Sequence, residues 1–181
     1  LEIGTTADNH LKVGVGDKTI VSREAFKYEQ GTWAHVALVY NSEGTVSAYY
    51  NFEELISNEE VGDYNGEGNY VFGASVKGNA AYAGKMHGAR IWDKALPSTR
   101  LQTNSLTMLS GAESNLLAYY PMDEAKGNVV ADKARGANLA MHGGTWTTPE
   151  GRAAAFNGKD QYLKLSSGSS CVIDKSMDYT M

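Results

Sequence analysis

The chain has 181 residues, 42% of them hydrophobic and 20% charged, a globular composition for one domain, or parts of two, with room for a substantial core. A net charge of −5 without a basic patch excludes nucleic acid as the ligand, because phosphate binding needs cations that release counterions. No apolar run approaches the ~18 residues that cross a bilayer, so no membrane insertion is expected, and one cysteine excludes an intrachain disulfide and a Cys-based zinc site. Cys171, in Ser-Cys-Val-Ile, reads as a half-buried apolar residue before it reads as a nucleophile. The start at Leu1 rather than Met suggests a fragment or a processed product.

Eleven Tyr and 20 Gly against three Pro favour strands joined by Gly turns. In chain order, residues 11–15 alternate apolar and polar, and Gly16-Asp17 turns the chain into a second strand at 19–21. Residues 32–40, TWAHVALVY, are apolar on both faces and predict a central strand covered on two sides. Asn41-Ser42-Glu43-Gly44 predicts the turn of a hairpin whose second strand is 45–51, with Gly44 free to take positive φ and Asn41 bonding the backbone. Further strands are expected at 70–74 and 85–92, the latter carrying Gly88 as a bulge or close backbone contact. A short helix follows Pro97, with Ser98 as N-cap and Leu101, Leu106 and Met108 along it. Residues 111–115 have linker composition, and Leu116 opens a new strand set. Residues 153–156 and 161–165 flank Asn157-Gly158-Lys159-Asp160 as a second hairpin, and 166–170, SSGSS, read as a loop. The class is all-β, with a sandwich favoured over a barrel.

Three stretches carry a family likeness. The first is Gly31-Thr32-Trp33-Ala34-His35-Val36-Ala37 with residues 46–51 after it. The second is Tyr82-Ala83-Gly84-Lys85-Met86-His87-Gly88-Ala89-Arg90-Ile91-Trp92-Asp93-Lys94-Ala95-Leu96. The third is Leu117-Ala118-Tyr119-Tyr120-Pro121-Met122-Asp123-Glu124, with Gly127, Asp132 and residues 151–158. Together they resemble the laminin-G-like, concanavalin A-like jelly-roll family, in particular bacterial LamG-type repeats. The resemblance implies an antiparallel jelly-roll β-sandwich with one short helix. The family usually follows its W-x-H-V-A pair of strands with an Asp-Gly or Asn-Gly turn. Asn51-Phe52-Glu53 stands there in this chain, so a different turn is expected. His87-Gly88 replaces the family's usual acidic pair.

In the family the third stretch precedes the first, whereas here it follows. Residues 1–110 therefore resemble the later strands of one LamG-like sandwich and 116–181 the opening strands of a second repeat. In the alternative, 116–181 complement 1–110 into one sandwich. Family boundaries favour the first arrangement, with neighbouring repeats of the same chain as partners.

Concanavalin-like glucanases carry carboxylates at alternate positions of one strand, so that period 2 sets them on one face; no such triplet occurs here. Glu53-Glu54 and Glu59-Glu60 read as solvated acidic loops. His35 has no Ser or Cys two residues away to activate, and reads as a core or rim histidine bonded to backbone. His10, His87 and His142 show no metal-ligand spacing. Asp123, Glu124 and Asp132 gather oxygens at a turn and are the candidate calcium ligands, a role some laminin-G relatives support. Asx bonds from Asp123 and Asp132 to loop amides are the stronger account. Trp146, Tyr82 and Tyr162 would stack on sugar rings if exposed, although core packing is the safer reading of each.

The expected function is non-catalytic: a glycan- or protein-binding or adhesion module of a large secreted or cell-surface protein, bacterial in origin. The alternative is an accessory carbohydrate-binding module of a glycan-degrading enzyme. Direct hydrolase activity ranks last.

Overall fold

The structure, a computed structural model, describes residues 1–64, 71–75, 80–147, 153–167 and 179–181. Cys171 lies outside the described residues, as do Tyr70, Gly151, Arg152 and most of the SSGSS loop. Among the described residues the strands are β1 (Glu2–Thr5), β2 (His10–Val15), β3 (Lys18–Ala25), β4 (Val36–Tyr40), β5 (Thr45–Tyr50), β6 (Glu53–Glu60), β7 (Val71–Phe72), β8 (Ala83–Met86) and β9 (Ala89–Trp92). Helix α1 (Ser98–Ser105) is followed by β10 (Leu116–Tyr120), β11 (Val129–Val130), β12 (Leu139–His142), β13 (Thr145–Thr147), β14 (Ala153–Asn157), β15 (Tyr162–Leu165) and β16 (Tyr179–Thr180). The result is the expected all-β, antiparallel, sandwich-type fold with one helix. Two compact units emerge, Leu1–Gly66 with Trp92–Met108 and Ile173–Met181, and Glu67–Ile91 with Leu109–Val172. Each unit draws on chain from both sides of residue 110.

In the first unit, β1, β2 and β3 form an antiparallel sheet. Alternation along β2 sends Leu11, Val13 and Val15 inward, where they are buried, and leaves Lys12 exposed. Each such side chain contributes about 1.5–3 kcal/mol when fully buried. The other sheet runs β16-β4-β5-β6. β4 reads VALVY because it is covered twice. Leu38 and Tyr40 are buried on one face, and on the other Ala37 packs with Tyr49 of β5 and Leu101 of α1. The last strand is fixed by Thr180, whose hydroxyl donates to the Lys94 carbonyl (2.8 Å) and accepts from the Leu96 N–H (2.9 Å). Leu38 and Met181 exchange backbone bonds at 2.8 Å.

In the second unit, the sheet β11-β12-β15-β7 buries Val130, Leu139, Met141 and Leu163. The sheet β13-β14-β8 contributes Ala153, Ala154 and Phe156. Phe156 lies so close to Gly73 that a Cβ added there would stand 3.0 Å from its ring, and Gly73 has φ +87°. All five residues of β10 are buried. The Tyr120 hydroxyl is satisfied by the Ala137 carbonyl at 2.7 Å, and its ring meets Phe72 edge-on at 5.8 Å.

The turn at 41–44 forms as expected. Asn41 Oδ1 accepts the N–H of Glu43 and of Thr45 (both 3.1 Å), and Gly44 has φ +78°. Other expectations are corrected. The strand expected at 32–40 begins at Val36, and just before it the His35 N–H is taken by the Asn51 side chain instead of a backbone carbonyl. The strand expected at 85–92 is divided between β8 and β9, since Gly88 takes φ +68° and turns its N–H to the Pro121 carbonyl. Glu53-Glu54 and Glu59-Glu60 lie on an edge strand, β6, rather than in loops. Pro97, not Ser98, is the N-cap of α1, without a side-chain bond, and Leu106 and Met108 lie beyond the helix, 80% and 84% exposed.

Two turns invert their expectation. Asn157 Oδ1 accepts the Lys159 and Asp160 N–H groups in a tight turn, yet β14 and β15 are not a hairpin. β14 pairs with β13 and β8, and β15 with β12 and β7, so the turn carries the chain from one sheet to the other. Asx chemistry is local and fits either path. Conversely, Asn51-Phe52 forms the tight two-residue connection of an Asn-Gly turn. Both residues have positive φ (48° and 71°), and Tyr50 pairs directly with Glu53.

Candidate functional site

The loop between β3 and β4 is anchored at both ends. At its start the Phe26 N–H donates to the Asn9 carbonyl (2.8 Å), and the buried Phe26 ring stacks on Tyr50 at 4.1 Å and 19°. In the middle, Gly31 takes φ +86°, and the Thr32 N–H and hydroxyl both donate to the Glu29 carbonyl (3.3 and 2.8 Å). At its end the tip of the β5–β6 hairpin clamps His35. The His35 N–H donates to Asn51 Oδ1, and the Asn51 N–H donates to the His35 carbonyl, both at 2.8 Å. The His35 ring stacks on Phe52 at 4.7 Å and 28°.

Phe52 is the strained member of this clamp. A bulky residue at φ +71° is an outlier of the kind that concentrates at ligand sites. It is held by packing against the Ala37, Tyr49 and Leu101 cluster. Beside it, the Tyr49 hydroxyl donates to Glu54 Oε1 (3.0 Å), and burial together with that carboxylate pushes the phenol pKa up. Burial, with Tyr28 nearby, does the same for Tyr50.

Between these anchors the loop presents Tyr28 and Trp33, 62% and 56% exposed. Large aromatic faces held on an anchored loop can stack on sugar rings or on the apolar side chains of a protein ligand. Sequence reasoning placed Trp33 and His35 in the family motif but missed Tyr28 and Phe52. The one signal for Phe52 was a phenylalanine standing where a hairpin turn calls for glycine.

The candidate calcium ligands differ in what they bond. Asp132 is buried, and its carboxylate accepts four backbone N–H groups: Tyr119 and Ala134 at Oδ1 (2.9 Å each), Arg135 and Ala137 at Oδ2 (3.0 Å each). A carboxylate offers about four lone-pair directions, so these bonds use its acceptor capacity. Glu124 Oε1 accepts the Ala131 N–H at 2.7 Å, and Oε2 is buried without a hydrogen-bond partner. Asp123 is partly buried. Among the described residues no group of three or more His, Cys, Asp or Glu is arranged to hold a metal ion.

Of the other aromatic candidates, Tyr82 is 43% exposed, against the core-packing expectation, while Trp146 and Tyr162 are partly buried. The Trp146 indole donates to the Gly127 carbonyl (2.8 Å), and the Tyr82 hydroxyl to the Lys85 carbonyl (3.2 Å). Tyr162 stacks on His142 at 4.6 Å across the β12–β15 ladder. His10 Nδ1 lies 2.7 Å from the Ser22 carbonyl, a bond within the first sheet.

No curated protein and no solved structure matches the chain. Family membership is carried by residues 1–102, which match the Laminin G 3 family of the concanavalin A-like lectin/glucanases superfamily, and over this larger part of its length the chain belongs to that family.

Proposed function

We propose that the chain is a non-catalytic module of a secreted or cell-surface protein, bacterial in origin, that binds a glycan or protein ligand through Tyr28 and Trp33 at the rim of its first unit. Membership of the family points to a carbohydrate- or protein-binding module, and LamG-like domains are commonly extracellular. No helix among the described residues is long and apolar enough to cross a membrane.

One observation carries the reading. Two large aromatics are exposed on a loop fixed by the Phe26–Tyr50 stack, the Gly31 turn and the Asn51–His35 clamp. Such exposure forfeits apolar burial, and rigid anchoring lowers the entropy lost when a ligand orders the loop. The superfamily also contains glucanases, but the acidic residues of β6 occupy an edge strand in adjacent pairs, which does not assemble the opposed carboxylates of a glycosidase. A glycan array probed with the wild type and with Trp33→Ala tests the reading. Binding confined to the wild type is expected.

For the organisation of the chain we propose complementation: residues 116–181 supply strands that the sheets of residues 1–110 require. Ladders that join the two parts of the chain support this, namely β8 with β14, β7 with β15 and β4 with β16.

A further inference from the structure

The turn that carries the chain from β14 to β15 in the second unit is built on a reactive pair. Among the described residues only Asn157 precedes a glycine. The fold demands both members of the pair. Gly158 takes φ +73°, and a Cβ there would stand 2.7 Å from the Ala83 Cβ of β8, so glycine is the residue that fits. Asn157 supplies the side chain that ties the turn. Its Oδ1 accepts the Lys159 and Asp160 N–H groups at 2.9 and 3.4 Å, and its Nδ2 donates to Asp160 Oδ1 at 2.8 Å.

The same contacts prepare a reaction. Gly158 lies one residue beyond the β14–β8 ladder, and its N–H donates to no group among the described residues. No side chain on Gly158 crowds that nitrogen, and Asn157 is exposed, so hydroxide and water reach both. Closure of the Gly158 nitrogen on Asn157 Cγ puts the negative charge of the tetrahedral intermediate on Oδ1. Two backbone N–H groups already bond that oxygen, the arrangement that stabilises such a charge. Asn41 provides the contrast. Its Oδ1 also accepts two backbone N–H groups, from Glu43 and Thr45 at 3.1 Å, but serine follows it.

We propose that Asn157-Gly158 is a site of spontaneous deamidation, at which the folded chain converts Asn157 to aspartate and isoaspartate and so loosens a turn between two sheets. Hydroxide takes the Gly158 amide proton, and the nitrogen pair forms the bond to Cγ as the carbonyl pair moves onto Oδ1. That pair returns, the Cγ–Nδ2 bond breaks, and Nδ2 takes a proton from water and leaves as ammonia. Water then opens the succinimide at either carbonyl. Water is consumed, ammonia is released, and the hydroxide is regenerated.

The product undoes what the amide held. A carboxylate at this position still accepts the two N–H groups, but the donor to Asp160 is gone and the two carboxylates repel. Isoaspartate also inserts a methylene into the main chain between β14 and β15, whose ladders with β8 and β7 fix where the turn begins and ends.

The test incubates the whole chain at mildly alkaline pH under native conditions and follows it by peptide mapping with mass spectrometry. Mapping keeps residue 157 apart from Asn65-Gly66, which lies outside the described residues. Asn157 should gain the mass of amide-to-acid exchange as two isomers, while Asn41 stays an amide through the time in which Asn157 is half converted. A free peptide of residues 153–163, which lacks the turn, should convert no faster than the folded chain. The aged chain should unfold at lower urea than the fresh one. Asn157→Asp should lower the urea midpoint as well, and adding Asp160→Asn should restore it, because an amide at 160 again donates across the turn. An intact Asn157 once Asn41 has reacted, a folded chain slower than the peptide, an aged chain as stable as the fresh one, or no recovery in the double variant would each overturn the proposal.

Discussion

Asn51 and His35 hold each other through two bonds of 2.8 Å, one from each backbone N–H, and this pair joins the β5–β6 hairpin tip to the end of the β3–β4 loop. The clamp places the His35 ring on Phe52, at 4.7 Å, and keeps Phe52 in a left-handed conformation that its side chain disfavours. Strain and packing oppose each other at this one residue.

Replacing Phe52 separates them. Phe52→Ala loses the contacts with His35 and the Ala37 cluster but keeps a Cβ at φ +71°, whereas Phe52→Gly loses the same contacts and releases the strain. Left-handed backbone costs a non-glycine residue about 1–2 kcal/mol. Urea unfolding should show both variants destabilised and the glycine variant the more stable of the two by about 1 kcal/mol. The order usual in strands and helices, alanine above glycine, would contradict the strain account.

Asp132 accounts for a different part of the fold. Asp132→Asn turns an amide NH2 toward two of the four backbone N–H groups that the carboxylate accepts. Each orphaned buried donor costs about 1–3 kcal/mol, so chemical denaturation should show a loss of about 2–5 kcal/mol. With these oxygens engaged, the melting temperature should be the same in calcium and in chelator. A rise in calcium that Asp123→Ala removes would restore the metal site at this turn.

The linker residues are organised by Glu113. Its Oε1 accepts the Ser110 N–H (2.7 Å) and hydroxyl (2.9 Å), and its Oε2 accepts the Gly111 N–H (2.9 Å). Burial pushes this carboxyl up, but the bonds from Ser110 and Gly111 outweigh it and leave the pKa below its ordinary 4.5. A depressed carboxyl stabilises the fold above the unfolded pKa and ceases to do so as pH falls through the folded value. The stability difference between wild type and Glu113→Gln should therefore be full at neutral pH and shrink below pH 4.5. A difference independent of pH would show that Glu113 acts by packing alone.

Complementation makes a direct prediction about fragments. Without residues 116–181 the strands β4, β7 and β8 lose β16, β15 and β14 as ladder partners. Residues 1–110 alone should give the collapsed amide dispersion of an unordered chain in a proton–nitrogen NMR spectrum and regain dispersion when 116–181 is added. A dispersed spectrum of 1–110 alone would support a separate sandwich instead.

The parts of this fold written in local chemistry were legible in the residues. The Asn41–Gly44 turn, the alternation of β2 and the doubly apolar VALVY strand each follow from side chains within a few positions. What escaped depended on distant partners. The Asn157 turn looks the same whether its strands pair or part, and only β8 and β7 decide that they part. The acidic β6 reads as a loop until β5 pairs with it. At the candidate site, Trp33 and His35 stood out through the family motif. Tyr28 stays exposed and Phe52 stays strained because of contacts made by Phe26, Tyr50 and Asn51, which no local pattern encodes.

The central claim is that ligand binds at the exposed Tyr28 and Trp33 faces. The most direct measurement takes the best ligand from an array and titrates it calorimetrically into the wild type, Trp33→Ala, Tyr28→Ala and, as an aromatic control in the second unit, Tyr162→Ala. Loss of an exposed stacking face costs about 1–3 kcal/mol, so the first two variants should each bind roughly tenfold more weakly or worse. Tyr162→Ala should bind as the wild type does. Unchanged affinity in folded Trp33→Ala and Tyr28→Ala would contradict the account.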